Sequence, residues 1–236
     1  MAGTHGTVLA QRVSSVAPQI QPMVAARTRH LDDLVSQVHG DRACQVINVG
    51  VGLDSRMFRV PLPAGSTIFD LDLPSMLRRR VEALAAIPQN GYPTRIEVPI
   101  DLHLHDVAEK VIETGHFDST LPCLVVWEGG SMYFDKQSFQ RIVASIPRLL
   151  QHRDSRLWLD YVDVSVIDGS SGFPVVDEFM NAMRCLGEPF ITGFKEIEVE
   201  LRHHGLVIQE DTPSRRMLKS DDPVFDLYKF CVLRRG

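Results

Sequence analysis

Residues 45–56 read Gln45-Val46-Ile47-Asn48-Val49-Gly50-Val51-Gly52-Leu53-Asp54-Ser55-Arg56. The run that ends at Val49 is rich in β-formers, and two glycines follow it almost at once. Glycines at such a point let the backbone turn tightly and come close to a ligand. The third glycine of the dinucleotide-binding pattern is missing, because Ser55 stands there. A plain strand-to-helix turn is the alternative, but the pattern favours a cofactor without phosphates over a dinucleotide.

β-rich and helical segments alternate around this turn, which is typical of an α/β protein with a doubly wound sheet. Five strands are predicted at 45–49, 67–72, 95–99, 123–127 and 156–161, with helices at 74–87, 104–114 and 136–151. Two more strands, at 206–210 and 228–233, are joined only by a loop, which is too short for a parallel crossover. The sequence therefore predicts a mostly parallel seven-stranded sheet that ends in an antiparallel hairpin.

The remaining segments define the expected domain organisation. Apolar residues recur at helical spacing over 23–38. Residues 1–22 are small and polar and are expected to form a flexible N-terminal arm. We expect residues 23–236 to form a single domain, with an insert at about 165–195 that contains a helix near 175–186.

Composition excludes several classes of protein. The 236 residues carry a net charge of -5, whereas nucleic-acid binders usually show a basic stripe. No apolar run approaches the ~18–20 residues of a membrane helix, and no secretory signal is evident. The four cysteines are far apart, which fits a reducing compartment. We therefore expect a cytoplasmic protein that binds neither nucleic acid nor membrane; its oligomeric state is open.

Carboxylates follow the second and third predicted strands. Asp70 and Asp72 lie about 20 residues beyond the glycines, where an acidic side chain can accept hydrogen bonds from ribose hydroxyls. Asp101 follows the third strand and could accept an adenine amino group, with Leu102 packing on the ring. A solvated strand end or a helix cap is the alternative in each case.

Two further charged residues complete the candidate site. Glu128 follows the most apolar strand and points toward the crevice where ligands of such sheets bind, and Gly129 and Gly130 leave open space beside it. Arg27 precedes the first strand and could hold a carboxylate through two hydrogen bonds. The nearby pair His103 and His105 lacks a third ligand, so no metal site is predicted.

Together these residues resemble the leucine carboxyl methyltransferase family, especially its small-molecule O-methyltransferase branch. The resemblance covers about residues 24–236 and rests on motifs that appear in order: Arg27-Thr28-Arg29, Gly50-Val51-Gly52-Leu53-Asp54-Ser55-Arg56, Phe69-Asp70-Leu71-Asp72-Leu73-Pro74, Asp101-Leu102 and Glu128-Gly129-Gly130-Ser131-Met132-Tyr133. The stretch Gly187-Glu188-Pro189-Phe190 is also similar to that branch. The resemblance implies a Rossmann-like class I methyltransferase fold and S-adenosylmethionine as cofactor.

The resemblance also implies roles for individual residues. Gly50 and Gly52 would pass under the cofactor, and Arg27 would hold its methionine carboxylate. Glu128 would lie near its amino group. The remaining roles are ribose binding by Asp72 with Asp70 nearby, adenine contacts from Asp101 and Leu102, and a methyl-transfer pocket lined by Tyr133.

The implied function is O-methylation of a carboxyl or hydroxyl group on a small metabolite, in a polyketide-like secondary metabolism. A hydroxyl acceptor would benefit from a general base, for which His103, His105 and Tyr133 are candidates. In place of two apolar residues of the family the chain has Gly130-Ser131, which is expected to widen the pocket. Only 26 residues precede Arg27 and none is lysine, so a mobile arm, an open cleft and slow turnover are expected.

Two other functions stay open at this stage. A nicotinamide-dependent oxidoreductase would also use Gly50, Gly52 and Asp72, although the missing third glycine and the C-terminal hairpin disfavour it. A protein that binds the cofactor without catalysis is the other alternative. Cofactor titration would separate the first from a methyltransferase, and a methyl-transfer screen would separate the second.

Overall fold

A seven-stranded sheet organises the fold. The computed structural model describes residues 11, 13–39, 41–87 and 93–236. Its strands are β1 Gln45–Val49, β2 Thr67–Asp72, β3 Thr94–Pro99, β4 Cys123–Trp127, β5 Arg156–Val162, β6 Leu206–Pro213 and β7 Tyr228–Arg235. Their order across the sheet is β3-β2-β1-β4-β5-β7-β6. Strands β1 to β5 pair in parallel, and β7 pairs antiparallel with both β5 and β6. The predicted fold class is confirmed.

Helices cover the sheet. They are α1 Ile20–His39, α2 Pro74–Leu84, α3 Val107–Glu113, α4 Lys136–Ser145, α5 Val164–Asp168, α6 Pro174–Leu186, α7 Ile197–Arg202 and α8 Val224–Leu227. Short 3-10 turns occupy Arg56–Phe58, Ser131–Tyr133, Ile146–Arg148 and Ser214–Met217. Within the described ranges, none of the helices has the length and apolar character needed to cross a membrane.

Two helix starts show how local side chains set the boundaries. The predicted start of α3 at residue 104 is wrong, because Asp106 caps the helix by accepting a hydrogen bond from the Glu109 amide, and the helix begins at Val107. The predicted cap of α4 is confirmed, since the Asp135 side chain accepts from the Ser138 amide. A competing cap therefore shortened one helix, while the other began where its cap predicted.

The central strands are buried on both faces. In β1, Ile47 and Val49 pack into one apolar cluster and Val46 into the other, on the opposite side of the sheet. In β4, Val125 and Val126 divide in the same way. This burial explains the continuous apolar run of β4, which is typical of a parallel sheet covered by helices.

The strand order reverses beside β1. Strand β2 pairs on one side of β1 and β4 on the other, so the connections leave the sheet in opposite directions. Such a switch point opens a crevice at the carboxyl ends of the strands. Gly50 follows β1 and Glu128 follows β4 at this crevice.

The N-terminal part of the described chain is helical and packed. Helix α1 begins at Ile20, residues 13–16 are also helical, and Ala17 is buried. The expected flexible arm therefore includes residues that lie against the domain, whereas residues 1–10 and 12 of that arm lie outside the described residues. The division at residue 22 and the insert at about 165–195 stay predictions.

Candidate active site

A cavity of about 670 Å³ opens at the carboxyl ends of β1 and β4. Its walls come from α1, the glycine turn, the segment after β4, α6 and the start of β7. The lining includes Arg27, Asn48, Gly50, Gly52, Arg56, Glu128, Met132, Tyr133, Glu188 and Tyr228. The cavity is large enough for a small-molecule ligand.

The glycine turn leaves space for a ligand. Gly50 has φ 68° and Gly52 has φ 52°, values that L side chains rarely adopt. A Cβ atom added at either position would meet no atom within 4 Å. The turn is tied to β2, since the Gly52 amide donates to Asp72 Oδ2 over 2.8 Å. Both glycines therefore present bare backbone to the cavity, as the sequence predicts.

Arg27 and Glu128 meet in the cavity although 101 positions separate them in the chain. Arg27 Nε donates to Glu128 Oε1 over 2.8 Å, and both side chains are mostly buried. Arg27 also donates to the Tyr228 hydroxyl over 3.2 Å. These contacts hold the guanidinium of α1 against the end of β4, so a cation and an anion stand side by side.

Arg56 lies behind this pair and neutralises the acidic residues around it. Its side chain is only 1% exposed. The guanidinium contacts Glu128 Oε2 at 2.6 Å, Asp54 Oδ2 at 2.9 Å and Asp32 Oδ1 at 2.7 Å. The Asp54 carboxylate also accepts from the Arg56 amide. One buried arginine thus joins α1, the glycine turn and the end of β4.

Asp160 and Tyr228 are site residues that the sequence interpretation missed. Asp160 of β5 is fully buried and accepts from the Gly129 amide over 2.7 Å and from the Tyr228 hydroxyl. Its second oxygen also lies 3.4 Å from Arg27. Burial raises the pKa of this carboxyl above its ordinary value. The available signal was an acid inside an apolar strand, whereas Glu128 was identified as an acid that follows the end of one.

Asp70 lies in a buried network of charged and polar side chains. Its side chain is buried, with one oxygen accepting from Asn48 Nδ2 over 2.8 Å. The other oxygen pairs with Arg95 and lies 3.4 Å from Arg80 Nε. Asp70 therefore neutralises two arginines inside the protein, and its predicted place near the ribose stays a prediction.

The carboxylates at the ends of β2 and β3 face different surroundings. Asp72 accepts from the amides of Gly52 and Leu73, and its carboxylate can still accept further hydrogen bonds. Asp101 accepts from the His103 amide over 2.9 Å within a turn, whereas the helix cap considered for it from the sequence is supplied by Asp106. Leu102 is 9% exposed and packs with the core. None of these three belongs to the described cavity lining, so their ribose and adenine roles stay predictions.

The two predicted catalytic residues lie in different places. Tyr133 lines the cavity, and burial, together with the neighbouring Glu188, raises the pKa of its hydroxyl above the ordinary value. His103 is exposed and packs against the Phe134 ring at 4.8 Å between centroids. It is not among the described lining residues. The geometry therefore favours Tyr133 as a hydrogen-bond donor and does not support His103 as a base in this cavity.

The expectation that Gly130-Ser131 widens the pocket is not supported by the packing. A Cβ at Gly130 would lie well inside van der Waals contact of Trp127 Nε1, so the indole occupies that space. Ser131 is fully buried, and its hydroxyl donates to the Asp160 backbone carbonyl. Both small residues let the segment after β4 pack closely on the sheet.

We expect Gly130→Ala to lower the free energy of unfolding by about 1–3 kcal/mol, because overpacking forces a buried ring or the backbone to shift. Urea unfolding measures the change. Gly115→Ala is the matched control, since Gly115 has φ 70° and open space around its Cβ position, which leaves only the cost of a left-handed backbone. A Gly130→Ala protein with wild-type stability and an unmoved Trp127 would contradict this account.

Sequence comparison relates this chain to known methyltransferases. The profile of the leucine carboxyl methyltransferase family matches residues 4–147. A provisionally named S-adenosyl-L-methionine-dependent methyltransferase of Parafrankia sp. (strain EAN1pec) is 31% identical over 138 residues. These residues make up 58% of this chain and 44% of that relative. The matched stretch is therefore less than half of the relative's own length.

Solved structures share the fold across almost the whole chain. A provisionally assigned methyltransferase from Thermobifida fusca YX superposes with a TM-score of 0.68 at 16% identity, covering 99% of this chain and 89% of that one. The magnesium protoporphyrin IX methyltransferase of Synechocystis PCC 6803, solved with bound S-adenosylhomocysteine, gives a TM-score of 0.56 at 14% identity, with 99% and 95% covered. At such identities these similarities show the fold alone.

The family assignment rests on the larger part of the chain. The matched region, residues 4–147, includes α1 with Arg27, the glycine turn and the segment of Glu128. These are the elements that build most of the charged part of the cavity. With more than half of its residues matched, the protein belongs to the leucine carboxyl methyltransferase family.

Proposed function

We propose that this protein is an S-adenosylmethionine-dependent O-methyltransferase that acts on a small molecule. The observation that carries the proposal is the meeting, in one cavity, of the bare glycine turn with the ion pair of Arg27 and Glu128. Family membership supports methyl transfer and an oxygen acceptor. The name of the Parafrankia relative supports the cofactor.

The residues of the cavity suit this cofactor. Adjacent positive and negative side chains at Arg27 and Glu128 match the carboxylate and ammonium groups of an amino-acid moiety. Asn48 lines the cavity, and its Oδ1 atom is buried without a hydrogen-bond partner in the described structure. A buried acceptor of this kind calls for a bound donor or an ordered water. Gly50 and Gly52 supply the open backbone.

The protein's contribution would be positioning and exclusion of water. When bound, the cofactor supplies a methyl group that is already activated, so alignment with the acceptor is the main requirement. Arg56, Asp160 and Tyr228 fix Arg27 and Glu128 through the contacts described above. The Tyr133 hydroxyl, a phenol that is protonated at neutral pH, hydrogen-bonds with Glu188 and would hold that carboxylate beside the acceptor.

The finer assignment extends the same proposal. The acceptor would be a carboxyl or hydroxyl group of a small, polyketide-like metabolite in a cytoplasmic secondary pathway. The apolar share of the lining, from Met132, Phe179 and Phe190, supports a largely apolar acceptor. The catalytic unit would be residues 23–236.

Titration calorimetry tests the cofactor. We expect S-adenosylmethionine and S-adenosylhomocysteine to bind in the micromolar range or tighter, with NAD showing no comparable affinity. A methyl-transfer screen with labelled cofactor, over carboxylic acids and phenols, then tests catalysis. Tighter binding of NAD than of S-adenosylmethionine would overturn the proposal. Binding of S-adenosylmethionine without methyl transfer to any acceptor would favour the non-catalytic alternative.

A further inference from the structure

The wall that α6 adds to the cavity is mostly apolar. Its apolar residues, with those that face them from other elements, are Met23, Met132, Phe179, Met183, Leu186 and Phe190. Tyr133 packs edge-on against Phe190, with 5.5 Å between ring centroids. Methionines adapt to irregular ligands, so this wall suits an aromatic or aliphatic molecule. Glu188 is the charged residue that the segment after α6 adds to the lining.

The backbone fixes the position of Glu188. Helix α6 ends at Gly187 with φ 80°, and the Glu188 amide donates to the Met183 carbonyl over 3.0 Å, which is a Schellman ending. Three residues later the Ile191 amide donates to the Met132 carbonyl over 2.9 Å. The segment that carries Glu188 is therefore tied at one end to α6 and at the other to the turn that carries Tyr133.

The charges around the cavity disfavour a carboxylate near Glu188. The lining arginines already form ion pairs. Arg27 pairs with Glu128 and Asp160. Arg56 pairs with three carboxylates. Among the described residues no ion pair involves Glu188. Glu188 is exposed, and among the described lining residues no unpaired cation stands beside it, so a carboxylate acceptor would meet an anion there; such like-charge contact is unfavourable. A hydroxyl could donate a hydrogen bond to the same carboxylate.

We propose that Glu188 and Tyr133 form the polar recognition site for the methyl acceptor and select apolar molecules with a neutral hydroxyl group over carboxylates. This deepens the proposed function and rests on it, because it decides between the two oxygen acceptors. The Tyr133 hydroxyl donates to Glu188 and orients its carboxylate, and the acceptor hydroxyl donates a hydrogen bond to the same carboxylate. The apolar wall from α6 holds the rest of the molecule.

Binding of a matched pair of probes tests the selection without any turnover. The probes are 2-naphthol and 2-naphthoate, measured by ligand-observed NMR titration at pH 7 with and without saturating S-adenosylhomocysteine. We expect the wild-type protein to prefer 2-naphthol by about ten-fold, the factor set by a hydrogen bond to a charged group. Glu188→Gln removes the charge at nearly constant volume and is expected to narrow the preference by roughly the same factor, with 2-naphthoate gaining affinity.

Matched variants separate recognition from general damage. Glu178→Gln changes an exposed glutamate of the preceding helix α6 that does not line the described cavity, and it should leave the preference unchanged. Tyr133→Phe should weaken 2-naphthol binding and leave S-adenosylhomocysteine affinity unchanged. The proposal is overturned by wild-type protein that binds 2-naphthoate equally well or fails to bind 2-naphthol, or by an unchanged preference in Glu188→Gln. If the wild-type protein did not bind S-adenosylhomocysteine, the proposed function itself would be refuted.

Discussion

Replacing Arg56 with methionine is expected to lower the free energy of unfolding by about 3–5 kcal/mol, the usual cost of removing one partner from a buried ion network. Arg56 is fully buried and contacts Asp32, Asp54 and Glu128. Its loss leaves three carboxylates close together with no shared cation. Methionine keeps much of the side-chain volume, so the effect reports on charge rather than on a cavity.

Urea unfolding followed by circular dichroism measures this change. Arg56→Lys should recover only part of the stability, because one ammonium cannot reproduce the planar fork that reaches three carboxylates. Arg42→Met is the matched control, since Arg42 forms an exposed pair with Asp154 and such pairs contribute about 0–1 kcal/mol. If Arg56→Met lost no more stability than Arg42→Met, the network would not stabilise the fold.

Replacing Arg27 with methionine is expected to weaken S-adenosylhomocysteine binding by about 10- to 100-fold, which corresponds to the loss of a charge-assisted hydrogen bond. Arg27 lines the cavity and is held there by Glu128 and Tyr228. Arg27→Lys should also weaken binding, because a point charge cannot replace the bidentate guanidinium. Titration calorimetry gives the affinities.

The neighbouring Arg29 supplies the control for this prediction. It lies on the same helix but is exposed, so Arg29→Met should change the affinity by less than about three-fold. The fully buried Asp160 loses a partner in Arg27→Met, and urea unfolding must therefore show that the variant is folded. If Arg29→Met lost more affinity than Arg27→Met, the cofactor carboxylate would bind Arg29, and its assignment to Arg27 would be wrong.

Local chemistry explains why much of the fold could be predicted. The apolar run of β4 is buried on both faces, so its composition alone indicated a central parallel strand. The lack of an evident helix before β7 favoured the antiparallel end of the sheet. In the structure this connection holds the turn Ser214–Met217 and α8, so its length alone did not exclude a crossover. Boundaries were less secure where a competing cap existed, as Asp106 shows at α3.

The candidate site also contains residues that the sequence could identify and residues that only the packing could distinguish. Gly50, Gly52 and Glu128 could be identified from their positions after buried strands, since the end of a parallel strand faces the crevice whatever the rest of the fold does. Asp70 and Asp72 were equivalent by that criterion. Both side chains lie on the same face of β2, so only tertiary packing separated them: Asp70 lies within the strand beside Arg80 and Arg95, whereas Asp72 ends the strand beside the Gly52 amide.

The sequence by itself determined the sheet, the glycine turn and the strand ends at which charged groups gather, because these depend on periodicity and on backbone conformation within a few residues. Only the tertiary structure decided which charges pair. Arg27 reaches Glu128 across 101 positions, and Tyr228 reaches Asp160 across 68. Whether a buried carboxylate neutralises an arginine or remains for a ligand depends on such distant partners, because the cost of burying a charge is met only by the groups that surround it in space.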